Sequence, residues 1–258
     1  MIEIQETGSY FEIDPDGYLV NPASVDKIQD EWRGLVDEMI EVYKKHFGEN
    51  LVTVYLRGSV AKGEAIKNIS DVDSWAYVDM KKEDITQGSF KEEIKDLKKK
   101  YSFCEGIEAG VFPLSHSQKE QFWIAQAVPI YGRDLQTEKF KVGKELIRHA
   151  KHPERIQVRL ENNFSREDSE KNRRTVCTWL CKQILRSVME LCFEHSGKYS
   201  RDLYRCWETF SEHYPDKSDE LREVLRLALN PISNKGEIIE LEKKWTRWII
   251  EEKKNLGY

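Results

Sequence analysis

The first half of the chain carries short apolar runs separated by amphipathic segments. The segment NPASVDKIQDEWRGLVDEMIEVYKKHFG predicts a helix, because large apolar side chains recur at helical spacing, with Ser24 as its N-cap and Gly48 at its end. The segment YFEIDPDGYLVN alternates around a turn and predicts a hairpin. The apolar runs predict strands, namely LVTVYLRG, DVDSWAYVD, GIEAGVFPL and VPIYG.

Strand patterns stop after residue 137, and helical spacing follows. A long helix places Cys177, Leu180 and Ile184 on one face, and three further helical segments come after it. The predicted fold class is therefore α+β, with an N-terminal mixed sheet and helices followed by a C-terminal helical bundle. We predict one domain over residues 1–140, which includes the hairpin as an N-terminal extension, and an α-helical domain over residues 141–258.

The composition is that of a soluble globular protein with a charged surface. The chain has 258 residues, 39% apolar and 34% charged, with a net charge of -5, so nucleic acid is not an expected partner and a cationic substrate suits it better. No apolar run is long enough to cross a membrane, and the N-terminus lacks the pattern of a signal peptide. The five cysteines form no CxxC pair and are predicted to be reduced thiols in a core. Together these features predict a cytoplasmic protein without a membrane partner.

Two carboxylates interrupt one of the predicted strands. Asp71 and Asp73 are one residue apart, so in a strand they point to the same face. Like charges this close repel each other, and a divalent cation removes that penalty. Mg²⁺ is typically held by one or two carboxylates together with substrate phosphates. The pair therefore predicts a site for a metal–nucleotide complex.

A Gly-Ser pair follows the preceding strand. Gly58 allows a phosphate to approach the backbone, and the hydroxyl of Ser59 and the following amides can donate hydrogen bonds to it at the start of a short helix. The order strand, Gly-Ser, short helix and Asp-x-Asp strand predicts a phosphate cradle beside the metal site.

The segment GSVAKGEAIKNISDVD resembles the signature of the polymerase-β-like nucleotidyltransferase superfamily. It is most similar to the bacterial aminoglycoside adenylyltransferases of the streptomycin/spectinomycin type. The positions that match the family pattern are Gly58, Ser59, Ala61, Gly63, Ser70, Asp71 and Asp73. The resemblance implies ATP as substrate, one or two Mg²⁺ ions at Asp71 and Asp73, and nucleotide contacts by Gly58, Ser59 and Ser70.

The resemblance also implies a third carboxylate and a basic contact. Glu108, inside the strand GIEAGVFPL, is the expected general base for the acceptor hydroxyl, with a role as metal ligand as the alternative. Glu105 lies just outside that strand and is the less attractive choice. Lys198, in the segment HSGKYSRDLYRCW, is the implied phosphate contact. Lys182 and Arg186, four residues apart on the preceding helix, can face the same cleft or solvent.

The sequence indicates the residues that bind the acceptor less specifically than it indicates the metal and phosphate sites. Glu161, Glu170 and Asp202 are candidates for binding a cationic acceptor. Several tryptophans could stack on an adenine or sugar ring, although such residues more often belong to a core: Trp75, Trp123, Trp179 and Trp207. The chain departs from the adenylyltransferases in its N-terminal extension, in DVDSW where a more aliphatic strand is usual, and in Arg57 directly before Gly58.

The resemblance implies an enzyme that transfers AMP from ATP to a hydroxyl group of a small molecule and releases pyrophosphate. The lead acceptor is an aminoglycoside or aminocyclitol antibiotic, which would make the protein a resistance factor. Two alternatives stay open: a protein- or RNA-directed nucleotidyltransferase of the toxin–antitoxin type, and a non-catalytic nucleotide-binding regulator.

Overall fold

The computed structural model describes residues 2–257, the side chain of Glu145 excepted, and divides into two compact units. One unit is Val20–Phe140, and the other joins Met1–Leu19 to Lys141–Tyr258. The first unit contains the sheet and the second is helical. The mixed α+β fold class predicted from the sequence is confirmed.

The sheet unit contains the four predicted strands, β1 (Leu51–Arg57), β2 (Val72–Val78), β3 (Ile107–Pro113) and β4 (Ala127–Gly132). Its α-helices are α1 (Asp30–Phe47), α2 (Gly58–Lys62), α3 (Gly88–Lys100) and α4 (Gln121–Ile124). The prediction of a single helix capped by Ser24 is wrong at its start, because Ser24 caps a separate 3₁₀ turn over Val25–Lys27. Gly48 ends α1 as predicted.

The strands are ordered β3-β2-β1-β4. β1 is antiparallel to both of its neighbours, β2 and β4, whereas β2 and β3 are parallel. Because β1 and β2 run in opposite directions, the end of β1 lies beside the start of β2. Because β2 and β3 run in the same direction, their starts lie side by side.

The two faces of the sheet differ in chemistry. On β2, Val72, Ala76 and Val78 pack in a core with apolar residues of α1 and α3. The intervening positions Trp75 and Tyr77 belong to a smaller apolar cluster on the opposite face, together with residues of β1 and α4. Successive side chains of a strand alternate between faces, so the acidic residue two positions before Trp75 shares this second face.

The helical unit is built from α5 (Glu154–Arg166), α6 (Glu170–Leu191), α7 (Phe193–Ser196), α8 (Leu203–His213), α9 (Ser218–Leu229) and α10 (Lys235–Asn255). The buried residues of α6 lie on most of its circumference, because α5, α8, α9 and α10 all contact it. The sequence pattern did not single out α5. Ser169 separates it from α6, since its hydroxyl accepts the N–H of Asn172 and caps the longer helix.

The N-terminal segment packs on the helices. Its turn is closed by a bridge between Ile13 and Leu19. The N–H of Phe11 donates to the carbonyl of Tyr199 at 2.8 Å, and the Tyr10 hydroxyl donates to Glu208 at 2.7 Å. The segment therefore belongs to the helical unit, whereas the prediction assigned its hairpin to the N-terminal domain. Contacts between residues so far apart in the chain leave no local pattern in the sequence.

All five cysteines are buried, as small apolar groups in a core would be. No helix among residues 2–257 combines the length and the apolar character needed to cross a membrane.

One buried carboxyl group makes the stability of the helical unit depend on pH. Oε2 of Glu190 accepts hydrogen bonds from the backbone N–H groups of Arg148 and Ala150, at 3.0 and 2.8 Å. Burial raises the pKa of Glu190 to about 7, although these donors oppose the shift. Since an unfolded glutamate has a pKa of about 4.3, the neutral form stabilises the fold at low pH. That contribution is lost as the pH rises through about 7.

We expect Glu190→Gln to abolish this dependence. Relative to the variant, the wild-type free energy of unfolding should fall by about 2 kcal/mol between about pH 5 and pH 7 and then level off. Urea denaturation across this range measures the difference, and effects of other titrating groups cancel because both proteins contain them. Glu194→Gln, at an exposed carboxylate nearby, is the control and should keep the wild-type profile. Parallel profiles for wild type and Glu190→Gln would contradict the assignment.

Candidate active site

Three carboxylates come together at one end of the sheet. Asp73 of β2 pairs with Arg57 of β1 on one side and with Glu108 of β3 on the other. Asp71 lies just before β2 on the same face. One carboxylate oxygen from each of Asp71, Asp73 and Glu108 lies within 4.8 Å of the other two.

Hydrogen bonds between the loops that precede β2 and β3 hold the three carboxylates in place. The N–H of Val72 donates to the carbonyl of Gly106, and the N–H of Glu105 donates to the carbonyl of Ser70, at 2.8 and 2.9 Å. These bonds extend the parallel pairing beyond the strand ends and bring Asp71 towards Glu108. Glu105 lies before β3 and is not a member of the cluster.

Repulsion within the cluster is partly offset by a guanidinium group. Nε of Arg57 lies 3.5 Å from Oδ2 of Asp73. Partial desolvation by its neighbours raises the pKa of Glu108 above its ordinary value, and the negative charges of Asp73 and Asp71 raise it further, whereas Arg57 opposes the shift. A carboxyl group whose pKa is raised by its neighbours suits proton transfer near neutral pH.

The donor set fits a hard divalent cation. The cluster offers only carboxylate oxygens, which are the ligands that Mg²⁺ prefers, and it lacks the imidazole and thiolate ligands typical of zinc. Asp71 and Glu108 are exposed to solvent, so an ion and a nucleotide phosphate can reach them. Any of the three side chains could hold the ion.

The Gly-Ser pair forms the first turn of α2. Gly58 has a φ of +79°, and a Cβ atom placed there would lie 3.4 Å from Oδ2 of Asp73. The left-handed backbone turns the chain from β1 into α2 directly beside the acidic cluster. Ser59 is partly exposed at this helix start. Ser70 is engaged in its own loop, where its hydroxyl accepts the N–H of Ile66 at 2.9 Å.

We expect Gly58→Ala to lower the free energy of unfolding by about 1–2 kcal/mol, because an L-residue is strained in the left-handed region. Chemical denaturation measures the loss. Gly88→Ala is the matched control: Gly88 begins α3, and a Cβ there meets no atom within 4 Å. Alanine should leave stability at that position unchanged or raise it. Equal effects of the two substitutions would contradict the strain at Gly58.

The predicted basic contacts lie in the helical unit. Lys198 pairs with Glu212 at 2.8 Å and lies over the ring of Tyr10. Lys182 is exposed on α6, and Nε of Arg186 donates to the carbonyl of Arg201 at 3.4 Å. Their contact with nucleotide phosphates stays a prediction.

The predicted acceptor contacts in the helical unit already have partners within that unit. Glu170 pairs with Arg174 at 2.9 Å, and Asp202 accepts the N–H of Ser9 at 2.9 Å. Glu161 accepts the side-chain amide of Gln157 at 3.0 Å.

The tryptophans of the helical unit are held by contacts of their own. Trp179 lies under the guanidinium of Arg159, and the indole N–H of Trp207 donates to the carbonyl of Ser218.

A pocket beside the carboxylates was not predicted from the sequence. We name it the aromatic pocket, and its aromatic lining consists of Trp75, Tyr77, Phe112, His116 and Trp123. Arg57 and Glu120 complete the lining. A signal was present, since Trp75 and Tyr77 follow Asp73 at intervals of two residues and Phe112 follows Glu108 at an interval of four. Such spacing places them on the acidic face, but it does not show that they enclose a space.

Comparisons with known proteins agree with the geometry. Residues 36–122 match a family model described as the nucleotidyltransferase domain. Among solved structures, the chain is similar to one described as spectinomycin adenyltransferase AAD(9) from Enterococcus faecialis with ATP and spectinomycin. The identity is 14%, the match covers 84% of this chain and 98% of that chain, and the TM-score is 0.51, so the likeness concerns the fold alone. A comparison of the sequence with curated proteins found no match.

Proposed function

We propose that the nucleotidyltransferase domain matched over residues 36–122 transfers AMP from ATP to a hydroxyl group of a small molecule and releases pyrophosphate. One observation carries the proposal: oxygens of Asp71, Asp73 and Glu108 converge within 4.8 Å on the sheet face where Gly58 begins α2. The carboxylates can position the reacting phosphate, while the backbone amides at the start of α2 can bind the other phosphates of the triphosphate.

The residues of the chain then have separate tasks. The hydroxyl of Ser59 and the amides of α2 bind the terminal phosphates. Glu108 accepts the proton of the acceptor hydroxyl, whose oxygen attacks the α-phosphorus. The new oxygen–phosphorus bond forms as the bond from the α-phosphorus to the bridging oxygen breaks, so that pyrophosphate leaves in line with the attack.

Mg²⁺, held by Asp71 and Asp73, would neutralise charge on the triphosphate and on the leaving pyrophosphate. Arg57 is a further cation beside Asp73. Glu108 has an alternative role in the same reaction, as a third metal ligand. The kinetics and the ATP affinity of a Glu108 variant distinguish this role from that of the base.

The proposed acceptor is an aminoglycoside or aminocyclitol. Two observations support it: the net charge of -5 suits a cationic molecule, and the solved structure of similar fold is described as an adenyltransferase with ATP and spectinomycin. A cytoplasmic location and a role in antibiotic resistance are parts of the same proposal.

The test uses the full chain with ATP, Mg²⁺ and a panel of aminoglycosides and aminocyclitols. Pyrophosphate release is recorded for each acceptor, and mass spectrometry identifies the molecule that gains the adenylyl group. We expect release that depends on Mg²⁺ and on one class of small acceptor. Modification of a protein or an RNA instead would overturn the acceptor, and nucleotide binding without release for any acceptor would favour a non-catalytic regulator.

A further inference from the structure

Exposed basic side chains form two rows on neighbouring helices of the helical unit. The members are Arg155, Arg159 and Arg166 on α5, and Lys171 and Lys182 on α6, and we name them together the basic face. In both rows the first and last members are eleven positions apart, which returns them to nearly the same side of a helix. With a rise of about 1.5 Å per residue, each row is roughly 16 Å long.

Contacts between α5 and α6 bring the two rows together. The side-chain amide of Asn172 donates to the carbonyl of Asn163 at 3.3 Å, and the guanidinium of Arg159 lies 4.9 Å from the ring centre of Trp179. Trp179 is three positions before Lys182, so Arg159 lies beside the second row. The indole ring contacts the flat side of the guanidinium, and the N–H groups at its edge can still donate to an anion.

No carboxylate in the described part of the chain forms an ion pair with any member of the basic face. Helix α6 has no acidic residue between Glu170 and Glu190, and Glu170 itself pairs with Arg174. The other carboxylates of α5 and of the loop after it have partners outside the face, namely Glu154 with His152, Glu161 with Gln157, Glu167 with Ser169 and Asp168 with Arg173.

Basic residues on another exposed helix are compensated within the fold. Three lysines of α3 each pair with a carboxylate, namely Lys95 with Glu92, Lys99 with Asp96 and Lys100 with Glu38. On α5, by contrast, Arg155 and Arg159 are four positions apart, and like charges at this spacing destabilise a helix. An anion from outside the chain would remove that repulsion.

A buried histidine indicates positive potential at the Lys182 end of the basic face. Nδ1 of His149 lies 3.0 Å from Oε1 of Gln183, the residue after Lys182. Burial lowers the pKa of His149 to about 4, and the positive charges of Arg201 and Arg186 contribute to the shift, although the hydrogen bond with Gln183 opposes it.

The dimensions of the face match a chain of phosphates. One strand of nucleic acid carries a phosphate for every 3.4 Å or so of helix axis, so a row of roughly 16 Å faces about five phosphates. The triphosphate of a nucleotide would reach only part of it. The planar fork of arginine suits phosphate oxygens. Uncharged polar side chains lie between the charges and can donate to phosphate or sugar oxygens, namely Asn162, Thr175 and Thr178.

A lipid surface fits the face less well. Helices that lie on membranes insert exposed aromatic or leucine side chains beside their basic residues. Among the described residues of α5 and α6, the exposed large apolar side chains comprise Val158 alone.

We propose that the basic face binds the phosphate backbone of one strand of a nucleic acid without reading its bases. The inference goes beyond the proposed function and does not depend on it, since the face lies in the helical unit alone. The net charge of -5 does not oppose such binding, because salt screens charges further away than about 10 Å and the local charge decides.

The test measures binding of the full chain to fluorescein-labelled oligouridine and oligothymidine. Fluorescence anisotropy gives the Kd between about 50 and 200 mM NaCl. The test variant combines Arg155→Gln, Arg159→Gln and Arg166→Gln. Its matched control replaces the three paired lysines of α3 with glutamine and so removes the same charge from the chain. Thermal unfolding verifies that both variants fold.

We expect both oligonucleotides to bind, with a slope of log K against log salt of about −3.5 for five phosphate contacts. The α5 variant should reduce the slope to about −1.4 and raise the Kd at the lowest salt at least about tenfold, whereas the α3 control stays near wild type. Lys171→Gln, a single exposed change on the other helix, should make the slope shallower by about 0.7.

Each of four results would overturn the proposal. Neither oligonucleotide binds at the lowest salt, or the α5 variant and Lys171→Gln both keep the wild-type affinity and slope. ATP with Mg²⁺ displaces the strand, in which case the face belongs to the nucleotide site. Polyglutamate of equal charge displaces the strand as well as unlabelled oligouridine does, in which case the partner is an acidic protein.

Discussion

Asp73→Asn is expected to lower the rate of pyrophosphate release by about 10³-fold and to weaken the binding of ATP with Mg²⁺. Asp73 is the central member of the carboxylate cluster, since its strand neighbours are Arg57 and Glu108. The amide keeps the size of the side chain but removes the charge that attracts the ion. Release assays with saturating acceptor measure the rate, and calorimetric titration with ATP and Mg²⁺ measures the affinity.

The matched control is Asp79→Asn. Asp79 is an exposed aspartate that follows Val78, the last residue of the same strand. Its substitution changes the net charge of the chain equally and should leave rate and affinity near those of wild type. Turnover by Asp73→Asn at the wild-type rate would contradict the assignment of this cluster as the metal site.

Glu108→Gln should lower kcat by about 10²–10⁴-fold, the usual contribution of a positioned general base. Glutamine cannot take the proton of the attacking hydroxyl. In the base role Asp71 and Asp73 hold the metal without Glu108, so the substitution should not weaken the binding of ATP with Mg²⁺. Steady-state kinetics and the same calorimetric titration provide the two numbers.

The combination of these two numbers separates the two roles left open for Glu108. Lost turnover with intact ATP binding identifies the base, whereas lost binding identifies a metal ligand. Glu105→Gln, three residues earlier and outside the strand, is the control and should behave as wild type. A Glu108→Gln variant with wild-type kcat would contradict both roles.

Much of the sheet unit could be predicted because its signals are local. The four strands are short apolar runs, and Gly48 ends α1 as its position after the last apolar residue indicates. The start of α1 and the separate helix α5 were missed, because a 3₁₀ turn and a helix break at Ser169 depend on single capping hydrogen bonds. The resemblance to nucleotidyltransferases is confirmed by the family match over residues 36–122.

Other features could not be predicted because they depend on contacts between distant segments. The N-terminal hairpin was assigned to the sheet domain, yet Phe11 and Tyr10 bond to residues of the helical unit. In the sequence Arg57 is only a departure from the family pattern, whereas its contacts with Asp73, Trp75 and Trp123 arise from strand pairing and from α4. The neighbours that engage Lys198 and Asp202 likewise lie elsewhere in the chain.

The sequence by itself determined which side chains share a face within one strand. Alternation places Asp71, Asp73, Trp75 and Tyr77 on one side of β2, because successive side chains of a strand point in opposite directions. It also determined the order of glycine, serine and paired aspartates. These are properties of neighbouring residues and need no knowledge of the rest of the fold.

Only the tertiary structure decided which residues of other strands lie beside these side chains on the same face. The register of β2 against β3 brings Glu108 beside Asp73, and the register against β1 brings Arg57 to its other side. A shift of one residue in either pairing would turn these side chains to the opposite face of the sheet. The packing of α1 and α3 on one face and α4 on the other determines the register, and it turns a row of acidic and aromatic residues into an acidic cluster beside a pocket.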